Sequence, residues 1–357
     1  MNYLSDLWLR MVDALANSLV APVLADLQLS SASLNPHDIA GALMLTVLQL
    51  FVIGGIFRPL EHWFPAERWE HRRLARVDLY YTLIMLLGLF PLFSYLVLTP
   101  LADFFLGAGN AAEAAAEPSV FNLKHALPGL AAHPLALFLV YYLLYDLLYY
   151  WMHRAQHAIP WWWALHSMHH SQRQMSCWCN DRGSYLDGAL QSVILAGVAV
   201  VVGIEPDEFA GILLLGELVQ NFSHANVRIG FGRLFERIFV SPKFHRLHHM
   251  EADPQRPDLH NCNFGQVLAV WDNLFSTALY SEPIRPTGVC DPVVDADNQR
   301  GLIGMQLAAL RRFWGAFRRP AGWRLGDVSF GPDYTPIPSS EAGFHASPNS
   351  ASSASSS

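Results

Sequence analysis

Three histidine clusters, HRAQH from His153 to His157, HSMHH from His166 to His170 and HRLHH from His245 to His249, constrain this chain more than any other feature. Neutral imidazoles in such spacing are what a protein needs to hold transition-metal ions. On an α-helix, residues at i, i+3 and i+4 lie on one side of the cylinder and can converge on a common point. His153 and His157 therefore share a face, as do His166, His169 and His170 within a single turn, and His245, His248 and His249 in another. Ser241 and Pro242 suit the N-cap and first position of a short helix carrying the last cluster. Pro160 should end the helix bearing HRAQH, so that HSMHH starts a new segment able to turn back toward the same centre.

The surroundings of these clusters are apolar. With 52% hydrophobic and 15% charged residues, the composition is that of a membrane protein rather than a soluble domain. Residues 39–57 and 79–98 approach the roughly 20-residue length that crosses a bilayer core. A third segment runs from Leu135 to Trp151, and the apolar stretches on either side of Glu205-Pro206 read as a helical hairpin. About four spans are expected. Arg68, Arg72, Arg73 and Arg76 between the first two spans favour the cytoplasmic side, whereas residues 99–134 carry Lys124 as their only Lys or Arg. Every histidine cluster then falls on the cytoplasmic side. The expected architecture is all-α, a polytopic helical membrane base under a cytoplasmic, histidine-rich helical cap.

Residues 1–37 read as an interfacial amphipathic segment, with Leu4, Leu7, Trp8, Met11, Leu15 and Leu19 on its apolar face. A cleaved signal is rejected, because no basic residues precede the apolar stretch and Asp6, Arg10 and Asp13 interrupt it. Residues 38–334 are expected to form a single domain, and the Pro- and Ser-rich tail 335–357 to be disordered. Cys177, Cys179, Cys262 and Cys290 have no zinc-site spacing and read as reduced. A net charge of −7 without a basic run argues against nucleic acid binding.

The ordered set HxxxH, HxxHH, HxxHH on a multi-span chain resembles the fatty acid hydroxylase and sterol desaturase superfamily of membrane di-iron oxygenases. Asp146, Tyr150, Trp151, His153, Arg154 and His157 look like its first box, and QNFSHANVR, Gln220 to Arg228, looks like its isolated fourth element. SPKFHRLHH, NCNFG at Asn261 to Gly265 and WDNLF at Trp271 to Phe275 are similar to its closing segment. The resemblance covers residues 58–278 and implies a di-metal site. Its ligands would be His153, His157, His166, His169, His170, His224, His245, His248 and His249, with Asp146, Asn226 and Asn263 as supporting residues behind them. Asp146, a buried aspartate late in a span, would be the natural partner of a metal-bound imidazole N–H. Asn261 stands where many family members have aspartate, which leaves the role of neighbouring His260 open. The segment with Arg182 and Asp187 matches the family loosely and is where substrate contacts could differ.

The implied chemistry is dioxygen activation at two non-haem irons and hydroxylation of a C–H bond of a sterol, fatty acyl or related lipid. Desaturation of a lipid is the alternative outcome of the same chemistry. The chain has no haem-attachment motif, ferredoxin cysteine set or flavin-binding loop, so a separate ferredoxin-like or cytochrome-like donor with its reductase is expected. Trp161, Trp162 and Trp163 read as an interfacial aromatic belt rather than as a substrate entrance. Two other classes fit the sequence less well. A metal transporter would need its histidines within the spans, and a haem cytochrome would need two or four axial ligands, not eight. Arg outnumbers Lys and alanine is abundant, which points to the inner membrane of a high-GC bacterium.

Overall fold

One helix, α4 below, both crosses the apolar layer and presents the first histidine cluster. The structure, a computed structural model, describes residues 3–28, 35–69, 71–89, 93, 96–97, 123–204, 206–251, 253, 259, 261–280, 283 and 285–318. Its principal helices are α1 (Ser5–Asp26), α2 (Pro36–Trp63), α3 (Arg73–Ile84), α4 (Pro134–Ala158), α5 (Pro160–His170), α6 (Tyr185–Val202), α7 (Pro206–Ser223), α8 (Pro242–His248) and α9 (Leu302–Arg318). Among the described residues there is no β-strand, only isolated bridges such as Pro65 with Val227.

Four helices, α1, α2, α4 and α6, are long and apolar enough to cross a bilayer. Three of them, α2, α4 and α6, fall on expected spans. The expected span at 79–98 is helical where it is described, through Leu89 and at 93 and 96–97, with most of its second half outside the described residues. Helix α1, expected at the interface, also has the length and apolarity of a span. Trp8, Val12, Leu15, Ala16 and Val20 pack against Ala40, Leu43 and Met44 of α2, while Leu7, Met11 and Leu19 are exposed. The predicted hairpin is present as α6 and α7. It turns at Gly203, whose φ of 78° and N–H bond to the Ala199 carbonyl close α6 in the left-handed conformation that glycine adopts most readily. The tail 335–357 lies outside the described residues.

Helices α4, α6 and α7 share a core in which Leu137, Tyr141, Tyr142 and Tyr145 meet Leu195 and Ile212. Helix α4 stops at Ala158 and α5 begins at Pro160, with the extended Ile159 as the whole connection, so the two histidine segments fold back on each other as the proline predicts. At the start of α8 the Ser241 side chain accepts the Phe244 N–H at 3.1 Å, with Pro242 in the first turn.

Two buried ion pairs tie this layer to the loops above it. Glu61, fully buried at the end of α2, accepts the backbone N–H groups of Cys177 and Asn226, both at 2.8 Å, and pairs with Arg72. Arg182, also fully buried, donates to Asp78 of α3, to the Ser171 hydroxyl and to the Asn298 side chain. Gln172 also donates to the Asp78 carboxylate. Breaking a buried pair by removing one member costs roughly 3–5 kcal/mol, because the other charge is left uncompensated. Arg182→Met is therefore expected to lower the thermal unfolding midpoint of the detergent-solubilised protein markedly. An unchanged midpoint would mean that this pair does not hold the cap together.

Candidate metal centre

The nine expected ligands come together, but not cluster by cluster. His153, His157, His166, His170 and His248 form one group, and His169, His224, His245 and His249 a second; within each, the ligand atoms lie within 4.8 Å of one another. The convergence of each HxxHH string on one point is thus corrected. The second string sends its i and i+4 residues, His166 and His170, to the first group and His169 to the second. The third does the reverse, sending His245 and His249 to the second group and His248 to the first. The cause is geometric: residues at i+3 and i+4 project about 100° apart on a helix, so an adjacent His-His pair straddles two neighbouring centres. The His170 and His249 rings stack at 4.3 Å where the groups meet. His37, His62, His71, His125 and His133 belong to neither group, as expected, and His345 and His260 lie outside the described residues.

The hydrogen bonds decide what these groups can hold. Carbonyl oxygens only accept, so each ring nitrogen facing one must carry the proton. His153 Nδ1 donates to the Phe264 carbonyl at 2.9 Å, His169 Nδ1 to Arg182 at 3.0 Å, His224 Nδ1 to Gln220 at 2.7 Å and His248 Nδ1 to Cys262 at 2.7 Å. His166 Nδ1 faces a carboxylate oxygen of Asp187 at 3.0 Å. Each Nε2 of a ring fixed to a carbonyl is then a bare lone pair, turned inward. Within the second group, His224 Nε2 stands 3.1 Å from His169 Nε2 and 3.0 Å from His245 Nε2; within the first, His157 and His170 Nε2 are 3.1 Å apart. The Nε2 atoms of His153, His166 and His248 are buried without any partner.

Facing lone pairs in a buried site are costly, and a cation between them removes the cost. Metal–imidazole bonds of about 2.1 Å place neighbouring ligands at right angles about 3.0 Å apart, which matches the observed separations. The donor set therefore fits transition-metal ions. Burial holds the imidazoles of His169, His170, His245, His248 and His249 well below their usual pKa, and pushes His224 down to about 4. They are neutral and ready to ligate at physiological pH.

The supporting residues differ from those expected. Asp146 touches no imidazole: its carboxylate accepts the N–H groups of Val267 and Leu268, at 3.1 and 3.2 Å, and the Trp271 indole at 2.8 Å. It lies two turns below His153 on α4, too far down the helix to reach a ligand ring, and fastens the loop that follows Phe264 instead. Asn226 bonds Glu67, and Asn263, at φ 58°, bonds the Phe244 and Leu279 backbone; neither contacts a ligand ring. Asn263 nevertheless lies between Cys262 and Phe264, whose carbonyls hold His248 and His153. Asn261 hydrogen-bonds His157 directly.

Asp187 is the carboxylate that sequence reasoning missed in this role. It gathers Gln156, Trp162 and His166 through three bonds of 2.8 to 3.0 Å, and the Arg182 backbone carbonyl holds His169, so this segment positions the converging histidines. The signal was present: an aspartate in the first turn of an apolar helix needs a buried partner, as Asp146 does. Asp272 sets the opposite wall by accepting the N–H groups of Phe264 and Gly265, both at 2.8 Å. A Cβ at Gly265 would stand 2.6 Å from the Leu268 carbonyl, so only glycine fits that turn. Two of the three tryptophans do not form an interfacial belt: Trp162 and Trp163 are buried, and the Trp163 ring lies 4.9 Å from His157 and 5.4 Å from His170.

Residues 138–277 match the fatty acid hydroxylase family, a stretch that contains all nine converging histidines together with Asp146, Asp187 and Asp272. This stretch belongs to that family. The fatty acid hydroxylase segment is also similar to named relatives. Alkylglycerol monooxygenase of Xenopus tropicalis is 26% identical over 193 residues, which is 54% of this chain and 41% of the relative. Its Homo sapiens counterpart is 28% identical over 193 residues, with the same shares. Ornithine lipid hydroxylase OlsE of Rhizobium tropici is 27% identical over 138 residues, 39% of this chain and 40% of the relative. The chain thus spans about two fifths of the length of these relatives. No solved structure matches.

Two variants separate support of the metal from support of the fold. Asp187→Ala should weaken metal binding by about 10–100-fold, the usual effect of removing a ligand's hydrogen-bond partner. Asp146→Ala should instead lower the thermal midpoint, with a smaller effect on affinity, because it strands three donors away from the ligands. Metal titration and thermal unfolding on both proteins would check this. Equal losses of affinity would return Asp146 to a direct role at the ligands.

Proposed function

We propose that this protein is a membrane-bound, non-haem di-iron oxygenase that hydroxylates an unactivated C–H bond of a lipid. The observation that carries the reading is the pair of adjoining buried histidine groups, whose Nε2 atoms approach one another at 3.0 to 3.1 Å and whose rings at His153, His169, His224 and His248 are held with Nε2 unprotonated. We assign His153, His157, His166, His170 and His248 to one iron and His169, His224, His245 and His249 to the other. When bound, the irons supply the reductive activation of dioxygen that a bond inert to acid and base requires.

The chain's own contribution is orientation and exclusion of water. Backbone carbonyls and Asp187 fix the rings, while Phe264, 5.2 to 5.6 Å from the His153, His157 and His248 rings, and Trp163 wall the first group. A cavity of about 30 Å³ beside His157, His170 and His248 has room for a molecule the size of dioxygen or water. The lipid class is carried over from relatives named for an alkylglycerol and an ornithine lipid; a sterol, fatty acyl or related lipid fits the same chemistry. Hydroxylation is favoured over desaturation because these relatives are named as a monooxygenase and a hydroxylase. Electrons come from a separate ferredoxin-like or cytochrome-like protein and its reductase. The cap faces the cytoplasm, on the charge pattern around the first spans, and the membrane is the bacterial inner one.

Purified protein should contain close to two non-haem irons per chain and no haem. Lipids from cells expressing the chain should include a species with one added oxygen that is missing without it. Absence of iron after anaerobic ferrous reconstitution, or an unchanged lipid pool under expression, would contradict the proposal.

A further inference from the structure

Helix α9 lies beyond the family match, and nothing in the oxygenase chemistry uses it. Its inner face is fully engaged: Met305 and Ala309 pack against Met168 and Tyr81, and Arg312 bonds both Asp297 and the Ala164 carbonyl. Its outer face is apolar and largely exposed, with Ile303 77%, Leu307 50% and Trp314 61% exposed. At 100° per residue these three fall within about 40° of arc, a narrow stripe. Arg311 is exposed beside the stripe, and α9 contains no acidic residue.

The ends of α9 locate it. In its first turns the Leu302 carbonyl accepts the Tyr81 hydroxyl and the Gln306 side chain accepts the Tyr185 N–H at 2.9 Å. Tyr185 is the first residue of α6, one of the membrane-length helices. Toward its other end Phe313 meets Trp161, three residues beyond the end of α4, another of them. The helix therefore runs across the ends of two membrane-length helices. Tyr80 and Ile84 of α3, on either side of the turn that carries Tyr81, are exposed apolar residues as well.

We propose that α9 is a membrane-surface helix, its Ile303–Leu307–Trp314 stripe seated in the headgroup–acyl boundary and Arg311 among anionic headgroups. An apolar stripe bordered by a cation, without acids, on a helix packed against the ends of membrane-length helices has the chemistry that such a boundary accepts. The cap would then be fastened to the bilayer on its α9 flank as well as through α4 and α6.

The test is a nitroxide scan of α9 in the full-length protein, in nanodiscs of phosphatidylcholine with phosphatidylglycerol. Cys290→Ser removes the one cysteine that is not buried. Single cysteines replace Ile303, Leu307, Ala308 and Trp314, and collisions with oxygen and with a water-soluble nickel chelate are compared. Lipid seating predicts high oxygen and low nickel accessibility at 303, 307 and 314. High accessibility to both reagents would place the stripe in water, and low accessibility to both would place it under protein; either overturns the proposal. The readout does not involve metal content or activity, so its failure leaves the oxygenase reading untouched.

Discussion

Buried ring nitrogens turned toward one another are the constraint around which this molecule is arranged. Left without a cation, each such pair is an electrostatic penalty. With one, the same nitrogens become a ligand cage. The tautomers that create the constraint are set by backbone carbonyls of Phe264, Arg182, Gln220 and Cys262. The residues holding those carbonyls are therefore as much a part of the centre as the histidines. Asp272 shapes the turn that presents Phe264, and the buried Arg182 side chain anchors its own carbonyl through Asp78, Ser171 and Asn298.

What could be read from the chain follows from what is local. Pro160 breaks one helix and starts the next, Ser241 caps α8, and Gly203 closes α6, because each acts on residues within a turn of itself. The histidine strings are local too, so which histidines gather was legible. The distribution of those ligands between two centres was not. It depends on how α4, α5 and α8 are rotated against each other, and spacing within one helix carries no information about that rotation. Buried carboxylates fared unevenly for the same reason. Asp146 was recognised as needing a partner, but the partner, a loop some 120 positions away in sequence, was assigned to the wrong group. Glu61 and Asp187 obey the same rule of burial and hold equally remote segments.

The membrane base and the metal centre are not separate layers. Helix α4 carries apolar residues, the tyrosine ladder and then two ligands without interruption, and α7 ends in the residue before His224. Movement of these helices in the bilayer is consequently movement of ligands. This coupling gives a reason for the buried pairs at Glu61 and Arg182, which lock the loops bearing the remaining ligands to α2 and α3.

The central claim is the crosswise division of the histidine strings between two metals. Mössbauer spectroscopy of protein reconstituted with iron-57 tests it most directly, on the wild type and on the neighbouring single variants His248→Ala and His249→Ala. The account predicts two iron environments in the wild type and the selective loss or perturbation of a different one in each variant. Loss of the same environment in both variants would mean that the adjacent pair serves one metal, and would contradict it.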